Sequence, residues 1–336
     1  MKYAFLSGFL WGIDTALLAV LTAFLNYNNS TNSVIFVGIL GALLHDAVCA
    51  IFMWIYISTR KKWHKTLEIL NKPRILALII VGSLLGGPLG MSGYVLAASN
   101  IGAGYAAAIS AFYPAVGTVL SALILRERLS AAKYAAFALA LIAVSALGYF
   151  SCAQDAQSYV NSNTILGLAG AILSVVGWGS EAVVCAWATR QKSIDDEIIL
   201  HIRQTTSAFA YVIIAIIAIV SSVFVSYTGS STGISAGSSA DTSAGLESYI
   251  SLNASSLQPL KIAGMAIIVG LLGVGSYLCY YRGIAKVGAS RAMAANVTYA
   301  AWSMIVTAII SCTMPSVLAW ICCITIMCST VFVARQ

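Results

Sequence analysis

Ten long apolar runs, set one after another with breaks between them, constrain this chain more than any other feature of its sequence. They cover approximately 3–25, 34–58, 75–98, 101–125, 132–151, 164–189, 197–226, 260–284, 288–311 and 316–334. A hydrocarbon core ~30 Å thick is crossed by roughly 20 residues of helix, and each run is of that order. In lipid the backbone must satisfy its own polar groups, which selects helices for such runs. Composition agrees, with 60% apolar and 9% charged residues, against ~45–50% and ~25% in a soluble domain. The expected fold is an all-α integral membrane protein of ten transmembrane helices.

The charges orient those helices. A net charge of +7 would suggest nucleic acid in a soluble protein, but here the basic residues sit in alternate connections between apolar runs. Arg60, Lys61, Lys62, Lys65, Lys72 and Arg74 lie between runs two and three, and Arg126, Arg128 and Lys133 between four and five. Arg190 and Lys192 follow run six, and Lys286 and Arg291 flank the turn between eight and nine. The other connections (26–33, 99–100, 152–163, 227–259 and 312–315) carry no Lys or Arg. The positive-inside rule then puts both termini in the cytoplasm of a multi-pass protein in the cell (plasma or inner) membrane. Asp14 in the first run argues for a retained helix and against a cleaved signal. The Ser/Gly-rich segment 227–259, with Asp241 and Glu247 its only charges, is expected to be a flexible extracellular loop. The eight cysteines lack metal or disulfide spacing and read as packing residues. No cofactor or metal motif is present.

An internal repeat divides the chain. Trp11-Gly12-Ile13-Asp14 in run one matches Trp178-Gly179-Ser180-Glu181 in run six. Ile101-Gly102-Ala103 followed by Tyr113 matches Val287-Gly288-Ala289 followed by Tyr299, and Tyr94 has a counterpart in Tyr277. The halves are 1–151 and 164–336, and because each holds five runs, an odd number, the second is expected to be inverted. Inverted repeats belong to alternating-access carriers, with the substrate near the midplane where the halves meet.

The ten-run, five-plus-five layout resembles the drug/metabolite transporter superfamily with its EamA repeat. Within it the chain is similar to the bacterial LicB-type choline permeases. The residues that carry this likeness are His45-Asp46, Gly87-Pro88-Leu89-Gly90-Met91, Tyr113-Pro114-Ala115, Trp178-Gly179-Ser180-Glu181, Ile202-Arg203-Gln204, and Asn296-Val297-Thr298-Tyr299 leading to Trp302. The resemblance implies uptake of choline or a related quaternary amine by alternating access, driven by membrane potential and by protons if a coupling group is present. The partners it implies are a choline-like cation and the bilayer, in a monomer or homodimer. Export of amino acids or drugs, common in the same superfamily, is the alternative within transport. A membrane-embedded enzyme would need a nucleophile–base or metal cluster, which three scattered histidines (His45, His64, His201) do not offer.

A charge at the bilayer centre costs at least ~2.5–3.5 kcal/mol, so acids inside spans are site candidates. Glu181 reads as a substrate or proton-coupling group, with His45 and Asp46 as further coupling candidates and Asp14 better explained by packing. Trp11, Tyr113, Trp178, Tyr277, Tyr299 and Trp302, with Asn296, form the candidate binding set. Ring faces attract a cation that has no N–H to donate, at ~0.5–2 kcal/mol each, so these residues suit an aromatic box. Pro88 and Pro114, inside runs three and four, are hinge candidates because an internal proline frees a carbonyl. Arg203 and Arg282 are expected to snorkel toward the cytoplasmic face.

Overall fold

The computed structural model of the chain describes residues 1–25, 33–101, 106, 109–127, 130–152, 164–190, 194–232, 258–312 and 314–334. Among these, the regular elements are all helical. The first half holds α1 (Lys2–Leu25), α2 (Ser33–Thr59), α3 (Trp63–Leu70), α4 (Pro73–Leu84), a π-helical turn (Leu85–Leu89), α5 (Gly90–Ile101), α6 (Tyr113–Ile124) and α7 (Ala131–Cys152). The second holds α8 (Thr164–Arg190), α9 (Asp196–Thr232), α10 (Gln258–Val287), α11 (Ala289–Asn296), α12 (Tyr299–Ser311) and α13 (Val317–Ala334). Seven helical stretches among the described residues are long and apolar enough to cross a membrane, and three shorter apolar helices, in α6, α7 and α13, fall on runs four, five and ten. The chain is a multi-pass membrane protein.

The distribution of residues is that of a protein dissolved in lipid. Ile165, Leu123 and Leu260 are 82%, 73% and 71% exposed, while Ser7, Asp14, His45, Asp46, Ser83, Ser174, Glu181, Arg203 and Ser207 are buried. Hydrocarbon outside removes the hydrophobic penalty on exposed Ile and Leu, and polar groups turn inward to find partners.

Several runs are interrupted where the sequence suggested continuity. Run three is α4 and α5 joined by the π-turn around Pro88. Run four breaks at Ala111–Phe112, so Pro114 lies in the first turn of α6. It is therefore not an internal proline: the N–H it lacks has no helical partner at that position. Run nine breaks at Val297–Thr298, between α11 and α12. Tyr113 and Tyr299, matched in the sequence repeat, each open a helix after such a break. The basic connection 60–74 contains the short helix α3 with Trp63, Leu67 and Leu70 exposed along it.

The expected loop 227–259 is shorter than the composition suggested. Helix α9 continues to Thr232 and α10 starts at Gln258, because an established helix propagates through Ser, Thr and Gly at small cost per residue. Residues 233–257, with Asp241, Glu247 and Asn253, lie outside the described residues, as do Gly102, Ala103, Arg128 and Lys192.

The halves pack crosswise. Helix α1 lies against α10, α11 and α12, and α8 against α4–α5 and α6; α2 meets α9 and α10, and α9 meets α2 and α4; α7 meets α13 and α6 meets α11. Exchanging the two halves carries this set of contacts onto itself. The matched glycines show it atom by atom. A Cβ on Gly12 would stand 2.8 Å from Tyr299 O, and one on Gly179 would stand 2.7 Å from Tyr113 O. Each glycine lets the first helix of its half touch the Tyr-initiated helix of the other.

Candidate substrate and coupling site

Helical periodicity gathers the polar residues on facing stripes. Helix α1 presents Ser7, Trp11 and Asp14; α2 presents His45, Asp46 and Cys49; α8 presents Trp178 and Glu181. Helix α9 presents Arg203, Gln204 and Ser207, and α10 presents Tyr277 and Tyr281. Arg203 Nε donates to Glu181 Oε1 at 2.6 Å and Nη2 to Glu181 Oε2 at 3.4 Å. Its Nη1 donates to Gln204 Oε1 at 2.9 Å and stands 3.6 Å from Asp46 Oδ2. Tyr281 OH donates to Glu181 Oε1 at 3.2 Å and lies 2.9 Å from Cys185 Sγ. Ser207 Oγ donates to Asp46 Oδ2 at 2.5 Å. His45 lies between two acids, with Nδ1 2.9 Å from Asp46 Oδ1 and Nε2 3.4 Å from Asp14 Oδ2.

The two halves build this centre in the same way. In each, the acid of the repeated motif on the first helix meets a basic side chain on the second: Asp14 with His45, and Glu181 with Arg203. Asp14, which the sequence assigned to packing, therefore stands where Glu181 stands in the other half. Arg203 corrects an expectation, since it is 1% exposed and does not snorkel. The reason is electrostatic. Glu181 and Arg203 each supply the counter-charge that lets the other be buried, so neither gains by reaching for water. Three carboxylates here face one guanidinium and one imidazole.

The aromatic candidates fall into two neighbouring groups. Trp11 meets Tyr277 edge to face at 5.0 Å between centroids, and the Arg203 guanidinium carbon lies 4.6 Å over the Tyr277 ring. Trp178 meets Tyr94 at 5.7 Å and Tyr113 at 6.0 Å. The pairs Trp11–Tyr277 and Trp178–Tyr94 repeat each other across the halves. Asn296 Nδ2 donates to Tyr113 OH at 2.9 Å, and Ser7 Oγ donates to Asn296 Oδ1 at 2.9 Å. Tyr299 packs in the same apolar cluster as Tyr113 and Trp178. Trp302 lies apart, edge-on to Phe9 at 4.9 Å.

Pro88 sits against this centre. Trp178 Nε1 donates to Gly86 O at 2.9 Å and Tyr211 OH to Gly87 O at 3.3 Å, so the second half bonds the irregular carbonyls of the π-turn. A broken helix at membrane depth is tolerated when protein groups take up its carbonyls.

Ionic clasps close the end of the bundle that carries the basic connections. Lys62 reaches Asp195 at 3.0 Å and Glu197 at 2.7 Å, and Lys65 reaches Asp195 at 3.0 Å. Arg282, the other arginine expected to snorkel, is 40% exposed but paired with Asp196 and Glu197. Burial would raise the Asp195 carboxyl, but hydrogen bonds from Lys62 and Lys65 outweigh it and hold the pKa below its ordinary value. On the other side Glu127 pairs with Arg190 and accepts from the backbone N–H groups of Ala289 and Ser290, at 3.2 and 3.0 Å.

Sequence reasoning missed Tyr281 and Ser207, and named Gln204 only within the Ile202-Arg203-Gln204 motif. Tyr281 carried a usable signal, four residues after Tyr277 and thus on the same helix face. For Ser207 the signal was its position four residues after Arg203.

Residues 1–149 match the EamA-like transporter family. The chain is 30% identical over 224 residues to Protein LicB of Haemophilus influenzae, a match spanning 67% of this chain and 63% of that relative. It therefore aligns with slightly less than two thirds of that relative's length. A crystal structure of a protein 15% identical superposes with a TM-score of 0.66, covering 99% of this chain and 97% of that one, a likeness of fold alone. The first half of the chain is thus similar to the EamA-like transporter family, and the likeness to LicB extends over two thirds of the chain.

Proposed function

We propose that the chain imports choline or a related quaternary amine by alternating access. The observation that carries this reading is the buried meeting of Asp14, Asp46 and Glu181 with Arg203, His45 and the Trp11–Tyr277 pair. It is acidic on balance, rich in ring faces, and lies where the halves touch. An organic cation without N–H groups needs those two things. In a negative-inside cell, ~2.3 kcal/mol per 100 mV favours its entry. His45, between Asp14 and Asp46, is the group we assign to proton coupling, with Glu181 as the acid that answers to substrate. Ten spans in two inverted halves, 1–151 and 164–336, are supported by packing that survives exchange of the halves and by the equivalence of Gly12 and Gly179. The charge distribution supports cytoplasmic termini in the cell membrane. Uptake of labelled choline into proteoliposomes tests the carrier reading. Saturation and counterflow are expected, and flux that rises linearly without counterflow would reject it.

A further inference from the structure

Arg203 already has around it what a quaternary amine would seek. Its guanidinium lies 4.6 Å over the Tyr277 ring, whose neighbour is Trp11. Glu181 binds it on one side at 2.6 Å, and Asp46, from the other half of the chain, waits at 3.6 Å. A surface arginine would not be placed so; this one is buried, and rings and carboxylates together enclose its charge.

We infer that Arg203 is the resident cation of the substrate site, and that a substrate cation binds by displacing its guanidinium from Glu181 and the Tyr277 ring toward Asp46. This rests on the cation-carrier reading above and adds how the empty site is filled. The displaced position is prepared, because Nη1 already faces Asp46 Oδ2. Asp46 belongs to α2 of the first half and Glu181 to α8 of the second, so the shift would move a charge from one half to the other. Gln204 Nε2, buried beside Arg203 and without a hydrogen-bond partner among the described residues, is a donor that Glu181 or Asp46 can take up when the guanidinium moves. An empty carrier would then never leave Glu181 without a counter-charge, and substrate and Arg203 would alternate on the same acid.

The test uses the full chain purified in detergent. In Arg203→Ala, added guanidinium chloride at non-denaturing concentration should enter the vacated place. It should raise the thermal midpoint of the variant and shift its choline isotherm to weaker apparent affinity in proportion to guanidinium concentration. The same concentration should not affect choline binding by the unaltered chain. A choline isotherm of Arg203→Ala that guanidinium leaves unshifted, or no response to guanidinium at all, overturns the inference. If Arg203→Ala does not fold, Tyr277→Leu keeps the ion pair and serves instead. Choline affinity should fall roughly five- to thirty-fold, and unchanged affinity overturns the shared position. Failure of the unaltered chain to bind choline would reject the choline reading separately. The competition is then run with tetramethylammonium, to which the same outcomes apply.

Discussion

Arg203 and Glu181 lie on adjacent helices of the second half and form a buried ion pair at 2.6 Å, with Asp46 of the first half 3.6 Å from the same guanidinium. Such a pair contributes little net stability, because desolvation offsets attraction, but breaking it leaves an uncompensated buried charge. Arg203→Leu and Glu181→Gln, each alone, should therefore destabilise the protein by ~3–5 kcal/mol. The double variant should recover most of that loss while transport stays absent. Thermal unfolding in detergent and uptake in proteoliposomes check both parts. A double variant no more stable than the singles would mean that the pair does not act as a unit.

The matched acids should differ in what they control. Glu181→Gln removes the counter-charge of the substrate position and should abolish uptake at every pH. Asp14→Asn leaves Arg203 paired and disturbs only His45, so uptake should persist with an altered pH profile. Uptake measured between pH 5 and 8 separates the two. Identical, pH-independent losses in both variants would contradict the division of labour.

The aromatic residues should divide along the lines the packing draws. Trp178→Leu and Tyr277→Leu keep apolar bulk and lose the ring, so choline affinity should weaken roughly five- to thirty-fold at each. Trp302→Leu should leave affinity unchanged, because its ring meets Phe9 and not the buried centre. Isothermal calorimetry on the three variants reads this directly.

Most of the fold was legible in the sequence, because lipid makes length and apolarity nearly sufficient to define a helix. Gly12 and Gly179, matched in the sequence, touch the helices that Tyr299 and Tyr113 open. The breaks before Tyr113 and Tyr299 were hidden, since hydropathy continues smoothly across them. Arg203 was misread for a related reason. A lone arginine near the end of an apolar run normally reaches for water, and only the third dimension reveals that Glu181 has turned to meet it. The acids were found individually, but the pairing of Asp14 with His45 needs two helices side by side, and no one-dimensional pattern records that.

The ionic clasps give a topology test with a pH signature. Cysteine at the exposed Glu68 position should react with an impermeant thiol reagent only from the cytoplasmic side, and cysteine at Ser235 only from outside, in a cysteine-free background. Labelling of both from one side would reject the orientation. Thr66, buried by its contact with His201, reports closure. The pKa of Asp195 lies below its ordinary value. Its stabilising contribution is therefore present above the ordinary carboxylate range and lost as pH falls through the lowered value, below about pH 4. Cysteine at Thr66 should become reactive in purified protein below that pH toward a dipyridyl disulfide, which ring protonation activates in acid, whereas Asp195→Asn should make it reactive at neutral pH. Protection that is unchanged by Asp195→Asn would remove Asp195 from the clasp.

The central claim is that the buried centre holds a cation through charge and ring faces. Calorimetric titration of the purified chain with choline and with its neutral carbon isostere, 3,3-dimethylbutanol, tests it most directly, because shape is nearly kept and the charge is removed. Choline should bind at least ~tenfold more tightly, the ratio for one ring contact and a share of the acidic field. Equal affinity for the two, or no binding of choline, would contradict the account.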